Sequence, residues 1–200
     1  MSFSYPPGLR PLLEELEAFG EHNDATVKER PAKMLNITPD TGAFLSMLVR
    51  SKGARSILEI GTSNGYSTVW LASAAAAVEG QVTTLDVNPS KTALARQNLQ
   101  RAGLEGLVRL HTGDAGAFLA QGPVGRWDLI FLDSERTEYP GWWLDLWRAL
   151  RPHGLLVVDN ALSHVAELEP FVKLVSGEPS ASHVMVPVGK GELVVLKEGK

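Results

Sequence analysis

The 200-residue sequence predicts an α/β fold: a doubly wound sheet of seven strands, mostly parallel, ending in an antiparallel hairpin, with helices added at the N-terminus. Three observations predict it. From Arg55 onward, short apolar runs alternate with helical patterns, as in repeated strand–helix units that build a parallel sheet. The first run, Ile57-Leu58-Glu59-Ile60, leads into a glycine-bracketed turn and then a helix start at Tyr66, the pattern of a buried parallel strand. Finally, the last two runs, 184–188 and 193–196, are joined by Gly189-Lys190-Gly191, a hairpin that brings one antiparallel strand into the sheet.

Taken in order, residues 9–22 carry Leu9, Leu12, Leu13, Leu16 and Phe19 at helical spacing, an apolar face suited to a lid or a subunit contact. Residues 21–31 are polar, with no strand pattern, and read as a short helix or a loop. Residues 34–38 precede a helix capped by Thr38 or Asp40, with Pro39 in its first turn, Phe44, Leu45, Leu48 and Val49 on its apolar face, and Gly53 at its end. Strands are expected at 57–60, 82–85, 108–110, 129–132 and 155–158. Helices are expected at 66–79, 89–102, 114–121 and 138–151, with a last one near 163–176. No repeat, low-complexity tract or linker appears, so one domain is expected over 1–200, with a helical part at 1–53 and the sheet core at 54–200.

Composition narrows the function. Apolar residues make up 44% and charged residues 21%, as in a soluble globular protein. A net charge of −4 gives no basic footprint, so neither nucleic acid nor a membrane surface is an expected partner. Cysteine is absent, which excludes disulfides, thiolate nucleophiles and zinc–thiolate sites and fits the cytoplasm. The start, M-S-F-S-Y-P-P-G, lacks the pattern of a signal peptide, and no apolar run approaches membrane-spanning length.

The turn at 56–67, S-I-L-E-I-G-T-S-N-G-Y-S, is the centre of the functional reading. Glycine lets a ligand approach the backbone, and the helix N-terminus behind it offers unpaired N–H groups. Ser63 stands where a dinucleotide fingerprint has its middle glycine. Glu59, just before Gly61, would repel a pyrophosphate and suit a cationic ligand, which points to S-adenosylmethionine; a plain glycine turn is the alternative. All five parallel strands finish in or beside an acid: Glu59, Asp86, Asp114, Asp133 and Asp159. Ligands of open α/β sheets sit beyond these ends. Asp86 falls about 25 residues after Gly61, near the roughly 20-residue offset of a ribose-binding acid; its alternative is a helix cap. Gly113-Asp114-Ala115 would lie at the adenine edge or, equally, cap a helix. Strands four and five, as neighbours about 4.8 Å apart, would bring Asp133, Asp159 and Asn160 toward one ion. Two carboxylates and an amide carbonyl are hard oxygen donors, suited to Mg²⁺, Mn²⁺ or Ca²⁺. Asp159-Asn160 without Asp133 would read as a turn.

At these residues the chain resembles the cation-dependent O-methyltransferases of the catechol and caffeoyl-CoA type. The resemblance runs from Met34 to Lys197 through I-T-P-D-T-G-A-F-L at 37–45, L-E-I-G-T-S-N-G-Y-S-T at 58–68, T-L-D-V-N-P at 84–89, H-T-G-D-A at 111–115, F-L-D-S-E-R at 131–136, Y-P at 139–140 and L-L-V-V-D-N at 155–160. It implies a Rossmann-like sheet, often dimeric, that moves a methyl group from S-adenosylmethionine to a hydroxyl of a small catechol-like or phenolic substrate. It implies cofactor contacts at Glu59, Gly61, Ser67, Asp86, Asp114, Ala115 and Asp133, with Asn36 and Ile37 lining the cofactor, and metal ligands at Asp133, Asp159 and Asn160.

Two departures stand out. Arg136 occupies the position where the family usually carries a lysine held to be the general base, and arginine stays protonated. The metal would then acidify the substrate at Asp133 while Arg136 stabilises the phenolate; proton transfer to His164 or Lys190, or altered activity, are the alternatives. The segment A-L-S-H-V after Asn160 also lacks the glycine often found there. Trp143, Trp147 and Leu150 share a helical stripe and read as core, whereas Trp142 lies off it and could reach a substrate ring or a partner subunit. Competing functions are a cofactor-binding protein of altered catalysis and a nicotinamide oxidoreductase.

Overall fold

The computed structural model describes residues 4–199. Seven strands form one sheet: β1 (Ser56–Ile60), β2 (Gln81–Asp86), β3 (Val108–Thr112), β4 (Trp127–Leu132), β5 (Leu150–Val158), β6 (Ala181–Val186) and β7 (Glu192–Lys197), in the order β3-β2-β1-β4-β5-β7-β6. The first five are parallel; β7 inserts antiparallel between β5 and β6. The order reverses direction between β1 and β4, which opens a crevice at their carboxyl ends. Register holds those ends level: Ile60 pairs with both Leu85 and Leu132, and Leu132 with Val158. The next residues of β2, β4 and β5 are Asp86, Asp133 and Asp159.

Strand alternation sorts side chains between two apolar layers. Ile57, Leu129 and Phe131 face α1 (Arg10–Thr26), α2 (Pro39–Lys52), α3 (Tyr66–Ala76) and α4 (Pro89–Arg101). Leu58, Ile60, Ile130 and Leu132 face α5 (Ala115–Gln121), α6 (Tyr139–Ala149) and α7 (Val165–Ser176). Helices on both faces make this the doubly wound sheet that the alternating pattern called for. Glu59, one step from Leu58, is thereby turned toward α3.

The differences from the sequence reading have local causes. Helix α1 continues to Thr26, and the polar stretch after it holds a 3₁₀ turn, Arg30–Ala32. The apolar side of α1 is divided: Leu13 and Leu16 are buried in the layer with β1 and α3 and serve the core, whereas Phe19 stays exposed. Thr38, not Asp40, caps α2, accepting from the Thr41 N–H, and Gly53 ends it in the left-handed region at φ +66°. Leu150 leaves the α6 pattern and opens β5, which carries a register irregularity against β4. The hairpin strand β6 begins at Ala181, and Pro187, which has no N–H to donate, follows its end.

Candidate active site

The crevice holds a cavity of about 430 Å³, lined by the turn after β1, the ends of β2 and β4, the segment before α2, Trp142, Asn160, His164 and Lys190. Of the residues singled out in the sequence, Asn36, Ile37, Gly61, Ser67, Asp86, Asp114, Ala115, Asp133, Arg136 and Asn160 line it; Glu59 and Asp159 do not. Their roles differ accordingly.

Gly61 has φ +111°, and a Cβ there would run into the Asp133 carbonyl oxygen, so the turn admits glycine alone. That close approach carries Asp133 to the cavity wall, where its N–H donates to the Ile60 carbonyl. Asp86 accepts from Ser63 N through Oδ2 at 2.8 Å and from Asn88 N through Oδ1 at 2.9 Å. Each carboxylate oxygen keeps a further lone pair toward the cavity. Asp114 caps α5, accepting from Ala117 N at 2.7 Å, while also lining the cavity. The cap reading of that residue is therefore the one the hydrogen bonds show.

Glu59 is set one layer back from the cavity lining. Its carboxylate is fully buried behind the wall and accepts from Ser67 Oγ, Thr68 Oγ1 and Thr84 Oγ1 at 2.5 to 2.6 Å. Burial pushes its carboxyl up to about 7, against the pull of those three hydroxyls. It anchors the first turn of α3, and it is Ser67 that stands between it and the cavity.

On the other side, Asn160 adopts φ +65° and brings its amide to both acids: Nδ2 donates to Asp159 Oδ2 at 2.6 Å and lies 3.3 Å from Asp133 Oδ1. Lost hydration, reinforced by Asp159, pushes the Asp133 carboxyl well above the usual range, while Lys190 pulls it back. Glu192, which the motif reading passed over, is a fully buried acid that opens β7 and accepts from Thr41 Oγ1 at 3.0 Å. Burial, and then Asp159, pushes its carboxyl up to about 11. The signal available in the sequence was an acid at the head of an otherwise apolar strand. Among the described residues no group of three or more His, Cys, Asp or Glu is arranged to hold a metal. The oxygen set here is two aspartates plus an amide.

Arg136 is buried, and its Nε donates to Glu167 of α7 at 2.7 Å. Trp142, half-buried, reaches the cavity with its indole near Gly116 and its ring 5.8 Å from that of Tyr139. Trp143 is core, its ring 5.6 Å from that of Phe171.

A strand order that switches at β1/β4, with acids at the strand ends around one crevice, defines an α/β protein built to hold a nucleotide-like cofactor. Residues 11–197 match the O-methyltransferase family profile, and the chain belongs to that family. It is 39% identical over 134 residues to a catechol O-methyltransferase of Niastella koreensis, an alignment covering 64% of this chain and 59% of that relative's length. It is 30% identical over 215 residues to a putative O-methyltransferase of Mycobacterium sp. (strain JLS), covering 96% and 97% of the two chains. In structure it is similar to an O-methyltransferase from Bacillus cereus solved in complex with SAH, at TM-score 0.77 and 28% identity over 94% of this chain and 91% of that one.

Proposed function

We propose that this chain transfers a methyl group from S-adenosylmethionine to a hydroxyl of a small catechol-like or phenolic acceptor, with a divalent cation, Mg²⁺ foremost, held by Asp133, Asp159 and Asn160. The observation that carries the proposal is a single cavity lined by the strand-end acids on one side and by Asp133 and Asn160 on the other. The Bacillus cereus relative bound to SAH, the demethylated form of that donor, supports the choice of cofactor.

The residues present fit both groups. Asn36 Oδ1 and Asn64 Nδ2 are buried without a hydrogen-bond partner, and both residues line the cavity. Such groups are costly unless a ligand meets them. Gly61 itself lines the cavity, and with no Cβ it lets the Asp133 backbone close against the turn. For the cation, adjacent acids with upward-shifted carboxyls are what a site awaiting positive charge presents. Rotating the Asn160 amide would turn its oxygen toward the same point.

Bound there, the donor supplies an electrophilic methyl on a cationic sulfur, and the cation supplies fixed charge that orients vicinal oxygens and acidifies the attacking hydroxyl. The chain's own residues do the rest. Asp86 takes the ribose hydroxyls, and Ala115 and Asp114 meet the adenine edge. Ser67, set by Glu59, faces the amino-acid end together with Asn36 and Ile37. Arg136 accepts no proton; clamped by Glu167, it places a fixed positive charge at the acceptor end. Trp142 contributes an aromatic wall. Positioning of donor and acceptor in line supplies much of the rate. The test is a methyl-transfer screen over catechols and simple phenols, read by product mass with Mg²⁺ and with a chelator. Methylated catechol that disappears with the chelator is expected; NAD binding without any methyl transfer would contradict the proposal.

A further inference from the structure

Glu192 is a buried acid for which the chemistry above has no use. It is fully buried at the head of β7, paired across the sheet with Val186. Its Oε1 accepts from Thr41 Oγ1 at 3.0 Å. Its Oε2 is buried and receives no hydrogen bond from any N–H or hydroxyl among the described residues. The β5–β7 register, with Val158 beside Leu193 and the Ala161 N–H donating to the Gly191 carbonyl, sets Glu192 across from Asp159, whose Oδ2 accepts from Asn160 Nδ2 at 2.6 Å. Resting on the cation site proposed above, we infer that Glu192 is a positioning residue for that site: it braces Asp159 against Thr41 and fixes the carboxylate orientation that a divalent cation meets.

Three features of the surroundings support the brace. First, Asp159 is 3% exposed and stands off the cavity wall, so water cannot orient it from behind. Apart from Glu192, its side-chain contact is the Asn160 amide, itself assigned to the cation. A ligating carboxylate ordinarily needs an outer partner of this kind. Second, the far end of the brace is rigid. Thr38 Oγ1 donates to Thr41 Oγ1 at 3.2 Å, Thr38 caps α2, and a Cβ on Gly189 would strike both hydroxyls. Third, a buried acid with one oxygen unmet by any donor is costly to keep, and a leucine would fill the same place on the Val194 face of β7 at no such cost. An amide at position 192 would still accept from Thr41 Oγ1 and would present an N–H toward Asp159, whereas a leucine offers neither.

The experiment is Mn²⁺ titration of the full chain by electron paramagnetic resonance, for wild type, Glu192→Gln, Glu192→Leu and Thr41→Val, with thermal unfolding of each in EDTA. Glu192→Gln is expected to stay within about threefold of wild type, because its amide still reaches both Thr41 and Asp159. Glu192→Leu should bind Mn²⁺ on the order of tenfold or more weakly, and Thr41→Val several-fold more weakly, while the unfolding midpoints in EDTA stay at or above that of wild type. Wild-type affinity in Glu192→Leu would overturn the inference while leaving the cation site standing. A Gln variant as weak as the Leu variant would also overturn it, by making the carboxylate a ligand. A wild type that binds no Mn²⁺ would remove the cation site and the brace with it. If Glu192→Leu does not fold, Thr41→Val decides: unchanged affinity there overturns the brace.

Discussion

At residue scale, the decisive groups are charges that have been taken out of water. Arg136 is the sharpest case. A guanidinium clamped by Glu167 at 2.7 Å is a poor base but a well-placed fixed charge. Arg136→Ala is expected to lower turnover on the order of a hundredfold, the scale of losing one preorganised donor to a developing oxyanion. SAH affinity, measured by calorimetry, should stay unchanged, and unaltered turnover would remove the role. Glu59 makes a separate prediction about pH. Its carboxyl titrates at about 7 in the folded chain against a reference value of 4.5, so the folded state holds a proton that the unfolded state releases. Stability therefore falls as pH rises from about 4.5 to 7, and the burial cost, roughly 3 kcal/mol, is complete above that range. Urea unfolding with a chelator present should show this decline in wild type and a shallower one in Glu59→Gln. The remaining slope comes from Asp133 and Glu192, whose carboxyls are shifted the same way. Asp86, Asp133 and Asp159 were legible in the sequence because a strand end is visible as the stop of an apolar run. The turn of Glu59 away from the cavity was not, since it depends on which face of β1 its neighbours α3 and β2 cover.

At element scale, the strands were easier to read than their partners. The acids sit level because parallel register aligns the ends of β1, β2, β4 and β5. The opposite, amino-terminal ends of the central strands are held by Asp128 at the start of β4, which accepts from Arg55 N and Ser56 N at 2.9 and 2.8 Å and pairs with Arg151 at 2.7 Å. Removing it with Asp128→Ala leaves two backbone donors without that acceptor and should cost roughly 2–4 kcal/mol. Denaturant unfolding measures the loss, and SAH affinity should hold, because these strand ends lie away from the crevice. Helix boundaries were less legible. Leu150 fits the apolar stripe of α6, yet pairing with Trp127 draws it into β5, a choice made by a distant strand. The polar stretch before α2 gave no pattern because its order comes from elsewhere: Asp24 accepts from Met34 N and Leu35 N at 2.7 and 2.9 Å. That pairing sets Asn36 and Ile37 against the cavity.

At the scale of the whole molecule, the proposed donor and cation sites share one rim. The switch in strand order between β1 and β4 would set them a single strand spacing apart. Glu192 arrives there from the far end of the chain, which is why no local motif announces it. Among the described residues no helix is long and apolar enough to cross a membrane. The family resemblance carries the proposal of a homodimer, and light scattering on the purified chain should return twice the chain mass; a monomer at assay concentration would contradict it. The central claim, a donor pocket and a hard-cation site side by side, has one direct test: a crystal structure of the chain soaked with SAH and Mn²⁺. The expected result is an anomalous manganese peak ligated by Asp133, Asp159 and Asn160, with SAH lying along Asp86 and Ser67. Manganese bound elsewhere, or SAH excluded from the crevice, would contradict it.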